Sequence, residues 1–123
     1  MFGRQGGKDL RGRQVFITGA ASGTGRALAV ASASEGAVVH LTDINAEPLE
    51  AAADEIRAGG GSVGLVRAAD VSDYEQVAAL AKELTAEHGS MDVLMNVAGI
   101  AEWGTVQATP HESWRRVIDV NLM

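Results

Sequence analysis

Short apolar runs alternate along this chain with longer stretches whose apolar residues recur at helical spacing. Arg13–Thr18, built around Val15-Phe16-Ile17, reads as a first strand. Gly23–Glu35 is alanine-rich and reads as a helix, closed by Gly36. Ala37-Val38-Val39-His40-Leu41-Thr42 is a second strand. In Ala46–Ala58, Leu49, Ala52, Ala53 and Ile56 share one helical face, and Pro48 sits in the first turn, where its missing N–H does no harm. Gly59-Gly60-Gly61 ends that helix, and Ser62–Ala68 is a third strand. Ser72 is the expected N-cap of a third helix opened by Asp73, with Val77, Leu80, Ala81 and Leu84 on one face and Gly89 as the stop. Asp92–Asn96 is a fourth strand. Thr109-Pro110 starts a last helix, with Trp114, Val117, Ile118 and Asn121 along one stripe.

Strands separated by helices need crossover connections, which makes the sheet parallel and covers both its faces. The expected fold class is α/β, a doubly wound parallel sheet (the Rossmann fold) with only the first four strands and their helices present. Residues 1–9 read as a flexible polar tail, and residues 10–123 as one half-domain. The fourth strand would lie at an open edge, and the chain stops inside an apolar helical stripe. The expectation is an N-terminal part of a longer protein, or an edge covered by a partner.

Composition narrows the function classes. The chain has 123 residues, 46% of them hydrophobic, enough for the core of one domain. It has no cysteine, so thiolate chemistry and a disulfide framework are excluded within it. No apolar run is long enough to span a membrane and the N-terminus lacks the apolar core of a secretory signal, so a cytoplasmic location is expected. The net charge of −6 is uneven: residues 1–26 hold five basic residues against one acid, and the remainder five against fifteen. An acidic body disfavours nucleic acid, and the short basic start reads as a solubilising tail.

The chemistry begins at Thr18-Gly19-Ala20-Ala21-Ser22-Gly23-Thr24-Gly25. A strand, a glycine turn and a helix start form a phosphate cradle, because the first helical N–H groups and the positive end of the helix dipole face a ligand that glycine lets come close. Gly19, Ser22, Gly23, Thr24 and Gly25 are the expected pyrophosphate contacts. Asp43 stands at the end of strand two, where a carboxylate accepts from the ribose hydroxyls of an adenosine and repels a 2′-phosphate. With Ile44 beside it, and no arginine or lysine at Ala21, Ser22, Thr42 or Ile44, the expected cofactor is NAD. On its own Asp43 would be a turn residue; the glycine loop changes that reading. Asp70 and Val71 end strand three, placed for adenine, although Asp70 and Ser72 could equally serve only to start the next helix. Asn96, Ala98 and Gly99 end strand four, where small residues admit a nicotinamide ribose.

Taken together, these motifs resemble the N-terminal half of a classical short-chain dehydrogenase/reductase. The family's Thr-Gly-x-x-x-Gly-x-Gly is matched by Thr18, Gly19, Gly23 and Gly25, and its strand-two acid in NAD-preferring members by Asp43. Its Asp-Val pair is matched by Asp70-Val71. Asn96-Val97-Ala98-Gly99 is similar to its Asn-Asn-Ala-Gly, with valine for the second asparagine, and Thr24 stands where isoleucine is usual. Val120-Asn121-Leu122 matches its helix asparagine. The resemblance implies hydride transfer between NAD and a small-molecule alcohol or ketone, oligomer contacts on the last helix, and Asn121 as an active-site residue that helps hold a water near a lysine. It also implies an acid/base serine and a Tyr-x-x-x-Lys. Neither is matched: the one tyrosine, Tyr74, is followed four residues on by Ala78, and Ser113 has no tyrosine partner. A tyrosine is a poor base near neutral pH without a cation beside it, so the 123 residues alone are expected to bind rather than catalyse. A non-catalytic dinucleotide-binding or interaction module is the competing reading. A methyltransferase fits less well, because the loop lacks an early acid.

The remaining candidates read as structural. His40 is expected in the core, His88 against a helix C-terminus and His111 exposed, with no metal-ligand spacing among them. Glu47, Glu50, Asp54 and Glu55 read as a solvated helix face. Trp103 falls in the loop after strand four, and Trp114 in a core or a subunit interface.

Overall fold

The computed structural model describes residues 9–101 and 103–122. The expected tail lies outside these residues apart from Asp9, as does the last residue, Met123. The elements run β1 (Gln14–Thr18), α1 (Gly23–Ser34), β2 (Val38–Asp43), α2 (Ala46–Ala58), β3 (Ser62–Ala68), α3 (Tyr74–His88), β4 (Val93–Met95) and α4 (His111–Asn121). All strands pair in parallel in the order β3-β2-β1-β4. The chain builds outward from β1 to β3, then returns to the other side of β1. That reversal opens a crevice at the carboxyl ends of β1 and β4, where open α/β sheets bind ligands.

Alternation along the strands sorts side chains to two faces. Val15, Ile17, Val39 and Leu41 point to one side and pack with Ala29, Ala33, Leu49 and Ile56 of α1 and α2. Phe16 points to the other and joins Leu65, Leu80 and Leu84 under α3. Small alanines on α1 let it lie close on the sheet, and Gly36, at φ +91°, ends it with its N–H on the Ala33 carbonyl.

His40 is fully buried in the middle of β2, as the strand pattern predicts. Its Nδ1 accepts from the Leu65 N–H at 2.9 Å, which puts its ring proton on Nε2, 2.6 Å from Gln14 Oε1. The ring thus ties β1, β2 and β3 together. Space for it comes from a bulge: Val39 pairs with Val63 but Leu41 with Val66, so β3 spends one extra residue there. Gly64 lies within that bulge, and a Cβ on it would overlap the imidazole. Rather than only meeting a helix dipole, His88 sits against this ring at a tilt of 57°, centroids 4.5 Å apart. Burial first, then His88, pushes His40 down to about 4.

Two local expectations change. The N-cap of α3 is Asp73, not Ser72: its carboxylate accepts from the Glu75 and Gln76 N–H groups, while Ser72 turns back to Asp70. The wider faces of α3 and α4 are also less buried than their patterns predict. Val77 and Ala81 are exposed, and no residue of α4 is buried, with Trp114 and Ile118 each about half exposed. The acidic face of α2 is partly paired, Glu55 with Arg26 and Asp54 with Arg57.

Candidate functional site

The loop from β1 to α1 is shaped by three glycines with separate tasks. Gly19 takes φ +66°, and a Cβ there would sit 2.8 Å from the Ala98 nitrogen. Gly23 takes φ +55° as the helix begins. Gly25 is buried against the Gly19 carbonyl, and any Cβ would overlap that oxygen. The start of α1 is then left open for a guest. Its N-cap, Ser22, makes no side-chain cap bond, and no acid stands in its first turn. The first N–H groups and the dipole therefore point unopposed into the crevice.

Two side chains lock this loop to its neighbours. Thr18 Oγ1 accepts from the Val97 and Ala98 N–H groups at 3.0 and 3.1 Å, tying β1 to the segment after β4. Asp43 accepts from the Ala21 N–H through Oδ2 at 3.1 Å and from the Asn45 N–H through Oδ1 at 3.0 Å. Each carboxylate oxygen keeps capacity for a further donor. Asp43 thus fixes the glycine loop from the end of β2 while facing the crevice.

A cavity of about 630 Å³ runs along this edge. Of the sequence candidates, Gly19, Ser22, Thr24, Gly25, Asp43, Ile44, Asp70, Val71, Ala98 and Gly99 line it. Gly23 shapes the turn without reaching the wall. Asn96 and Asn121 open instead onto an apolar cavity of about 590 Å³ between α3, β4 and the end of α4. Asp70 receives the Ser72 N–H and hydroxyl on Oδ1, at 2.9 and 2.6 Å. These bonds, with Arg116 adding to them, hold its carboxyl below the usual range. Asn121 pairs twice with one residue: its Nδ2 donates to the Ile100 carbonyl at 2.7 Å and its Oδ1 accepts the Ile100 N–H at 2.8 Å. Gly99 allows this, since a Cβ there would press on Asn121 Oδ1.

Arg116 and Val120 of α4 also line the first cavity, with Asn45 and Ile100. The sequence reading does not include them, because the apolar stripe through Trp114, Val117, Ile118 and Asn121 draws attention to another face of α4. Arg116 and Val120, four apart on an adjacent face, carried the available signal. Among the described residues no group of three or more His, Cys, Asp or Glu could hold a metal. No helix is long and apolar enough to cross a membrane among those residues.

A family model described as short chain dehydrogenase matches residues 13–123. The chain belongs to the short-chain dehydrogenase family. A Mycobacterium tuberculosis protein named "Probable oxidoreductase EphD" is 44% identical over 108 residues, 88% of this chain and 18% of that protein. D-threitol dehydrogenase of Mycolicibacterium smegmatis is 39% identical over 115 residues, 92% of this chain and 43% of the relative. Among solved structures, a metagenomic short-chain oxidoreductase in complex with NADP superposes with a TM-score of 0.86 at 38% identity, covering 93% of this chain and 52% of that one. The chain thus spans about half or less of these family members. The family is one of oxidoreductases that bind a nicotinamide dinucleotide, and the glycine loop, the Asp43 corner and the four-strand order form the frame of that fold.

Proposed function

We propose that these residues are the cofactor-binding half of an NAD(H)-dependent oxidoreductase that moves hydride between the dinucleotide and a small alcohol or ketone. The observation that carries this is the uncapped start of α1, its N–H groups free beside the Gly19–Gly25 turn, in one cavity with the Asp43 carboxylate. The donor set fits the group: N–H groups and a dipole for a pyrophosphate, an acceptor for ribose hydroxyls.

In this reading Gly19, Ser22, Thr24 and Gly25 hold the pyrophosphate on the turn that Gly23 shapes, and Asp43 with Ile44 the adenosine ribose. Asp70 and Val71 meet the adenine, and Ala98 and Gly99 flank the nicotinamide ribose, with Asn96 behind them toward the neighbouring cavity. NAD is favoured over NADP because Asp43 is an anion where a 2′-phosphate would lie. When bound, the nicotinamide supplies the hydride acceptor or donor. Asn121 belongs to the catalytic edge; its doubled bond to Ile100 fixes the loop on which that edge is built. The acid and base, which the family resemblance puts on a serine and a Tyr-x-x-x-Lys, come from outside these 123 residues in this proposal, and so does the substrate pocket. The half-exposed stripe on α4 supports a homo-oligomer contact, and a cytoplasmic enzyme is part of the same reading.

Calorimetric titration tests it. NAD is expected to bind the folded chain more tightly than NADP, and Asp43→Ala to narrow that preference. A folded chain with no affinity for either dinucleotide, or a preference for NADP, overturns the reading.

A further inference from the structure

Asp70 and Arg116 line the same cavity from different elements without closing an ion pair. Asp70 follows β3, and its Oδ1 is committed to Ser72. Its Oδ2 receives no hydrogen bond among the described residues. Arg116 projects from α4 one turn before Val120, and its charge reaches Asp70 through space. Ile44, Val71 and Val120 supply the apolar wall beside this pair.

An anion and a cation in one cavity, with apolar side chains beside them, suit a particular kind of ligand. A flat, neutral ring with a donor and an acceptor on neighbouring edges satisfies both groups and the apolar side chains together. Adenine meets this: its amino group donates to a carboxylate, and its ring nitrogens accept from a guanidinium. We propose that Arg116 reads adenine, donating to a ring nitrogen while Asp70 Oδ2 accepts from the amino group. The inference rests on the dinucleotide reading and extends it to a residue on α4. It also gives the exposed guanidinium a role separate from the pyrophosphate, which the start of α1 already serves.

The test titrates 5′-AMP, 2′,5′-ADP, NAD and nicotinamide mononucleotide into the chain, Arg116→Ala and Arg116→Gln. One charge-assisted hydrogen bond predicts roughly tenfold weaker binding of 5′-AMP and NAD to Arg116→Ala. Nicotinamide mononucleotide should be unaffected. Arg116→Gln should recover part of the loss, since its amide still donates. Thermal midpoints should not move, because the side chain is exposed. Equal 5′-AMP affinity in the parent and both variants overturns the inference and leaves the dinucleotide reading intact. A loss confined to 2′,5′-ADP overturns it differently, making Arg116 a reader of the 2′-phosphate. If the parent chain binds neither NAD nor 5′-AMP, the dinucleotide reading itself has failed.

Discussion

The two sides of β1 are built to different standards. On the β2 side the sheet, α1 and α2 close over a continuous buried cluster from Val15 to Ile56, and the glycine loop is pinned from both ends. On the β4 side the strand is three residues long, Leu94 is 57% exposed and α4 buries nothing. The lesson is that the edge proposed for pyrophosphate and adenosine carries its own supports. The edge where hydride transfer would occur is held by a few polar bonds, Thr18 to the 97–98 amides and Asn121 to Ile100. The first should yield most to a backbone clash or a buried charge; the second should respond to single hydrogen bonds.

The largest effect should come from Gly25→Ala. The new methyl would meet the Gly19 carbonyl oxygen, a backbone atom of the turn itself. Relief requires moving the loop off its Asp43 and Thr18 anchors. A loss of about 3 kcal/mol or more is expected, the range of overpacking and backbone strain combined. Chemical denaturation reads the stability and NAD titration the site, and both should fall together. Gly23→Ala is the comparison: nothing lies near its Cβ, so only the positive φ is strained, at about 1–2 kcal/mol. Equal losses at the two positions would mean that the close packing under α1 is not what makes this side rigid.

Acid should find the one buried weakness on the well-packed side. Unfolded, His40 takes up a proton near 6.5; folded, it does so only at about 4. Between those values the unfolded chain binds more protons, so stability falls as the pH drops. The contribution is complete above pH 6.5 and declines by roughly 3 kcal/mol on reaching pH 4. A proton on Nδ1 would also cost the Leu65 N–H its acceptor. Urea midpoints between pH 7 and 4 check this. His40→Leu should flatten the slope, and a variant as pH-sensitive as the parent would place the acid-labile group elsewhere.

How much of this was legible in the sequence differs between the same two sides. α2 and β3 fall where the spacing of Leu49, Ala53 and Ile56 and the run at 62–68 put them, because local pattern and tertiary burial agree there. Glycines at 19, 23 and 25 were legible for the same reason: only backbone conformation and close approach explain them. The bulge at Gly64 was not, since no local rule says that a histidine on the neighbouring strand needs the room. Arg116 was hidden by a stronger signal, the Trp114–Ile118 stripe, which stays half exposed. The Ser72-for-Asp73 exchange at the α3 cap was a choice between adjacent capping residues. Asp70 settled it by taking the serine hydroxyl for itself.

Asp43 tests the joint between cofactor and scaffold, with an intermediate effect. Asp43→Ala removes the acceptor of the Ala21 and Asn45 N–H groups as well as the proposed ribose contact. Each hydrogen bond to the charged carboxylate is worth about 1.5–3 kcal/mol. NAD affinity should fall by at least one such bond, while stability falls less, because water can reach the half-exposed corner. Asp43→Asn should keep one backbone acceptor and lose the repulsion of a 2′-phosphate, so NADP should gain on NAD. A variant that loses stability but leaves the NAD to NADP ratio unchanged would make Asp43 purely a loop anchor.

The smallest effect belongs to Asn121, and it is the sharpest probe of the open side. Its amide is exposed, so removing both bonds in Asn121→Ala should cost only about 1 kcal/mol in global stability. The local effect should be larger than the global one. Hydrogen exchange at the Ile100 amide should speed up, while the amides of β1 and β2 keep their protection. Asn121→Asp separates the two bonds: it still accepts from the Ile100 N–H but no longer donates to the Ile100 carbonyl. Exchange at Ile100 should then fall between the parent and Asn121→Ala, because the second carboxylate oxygen repels the carbonyl that the amide held. If Asn121→Ala instead destabilised the chain as much as Gly25→Ala, this side would be as firmly built as the other. The contrast between a self-supporting edge at β2 and a sparsely tied edge at β4 would then fail.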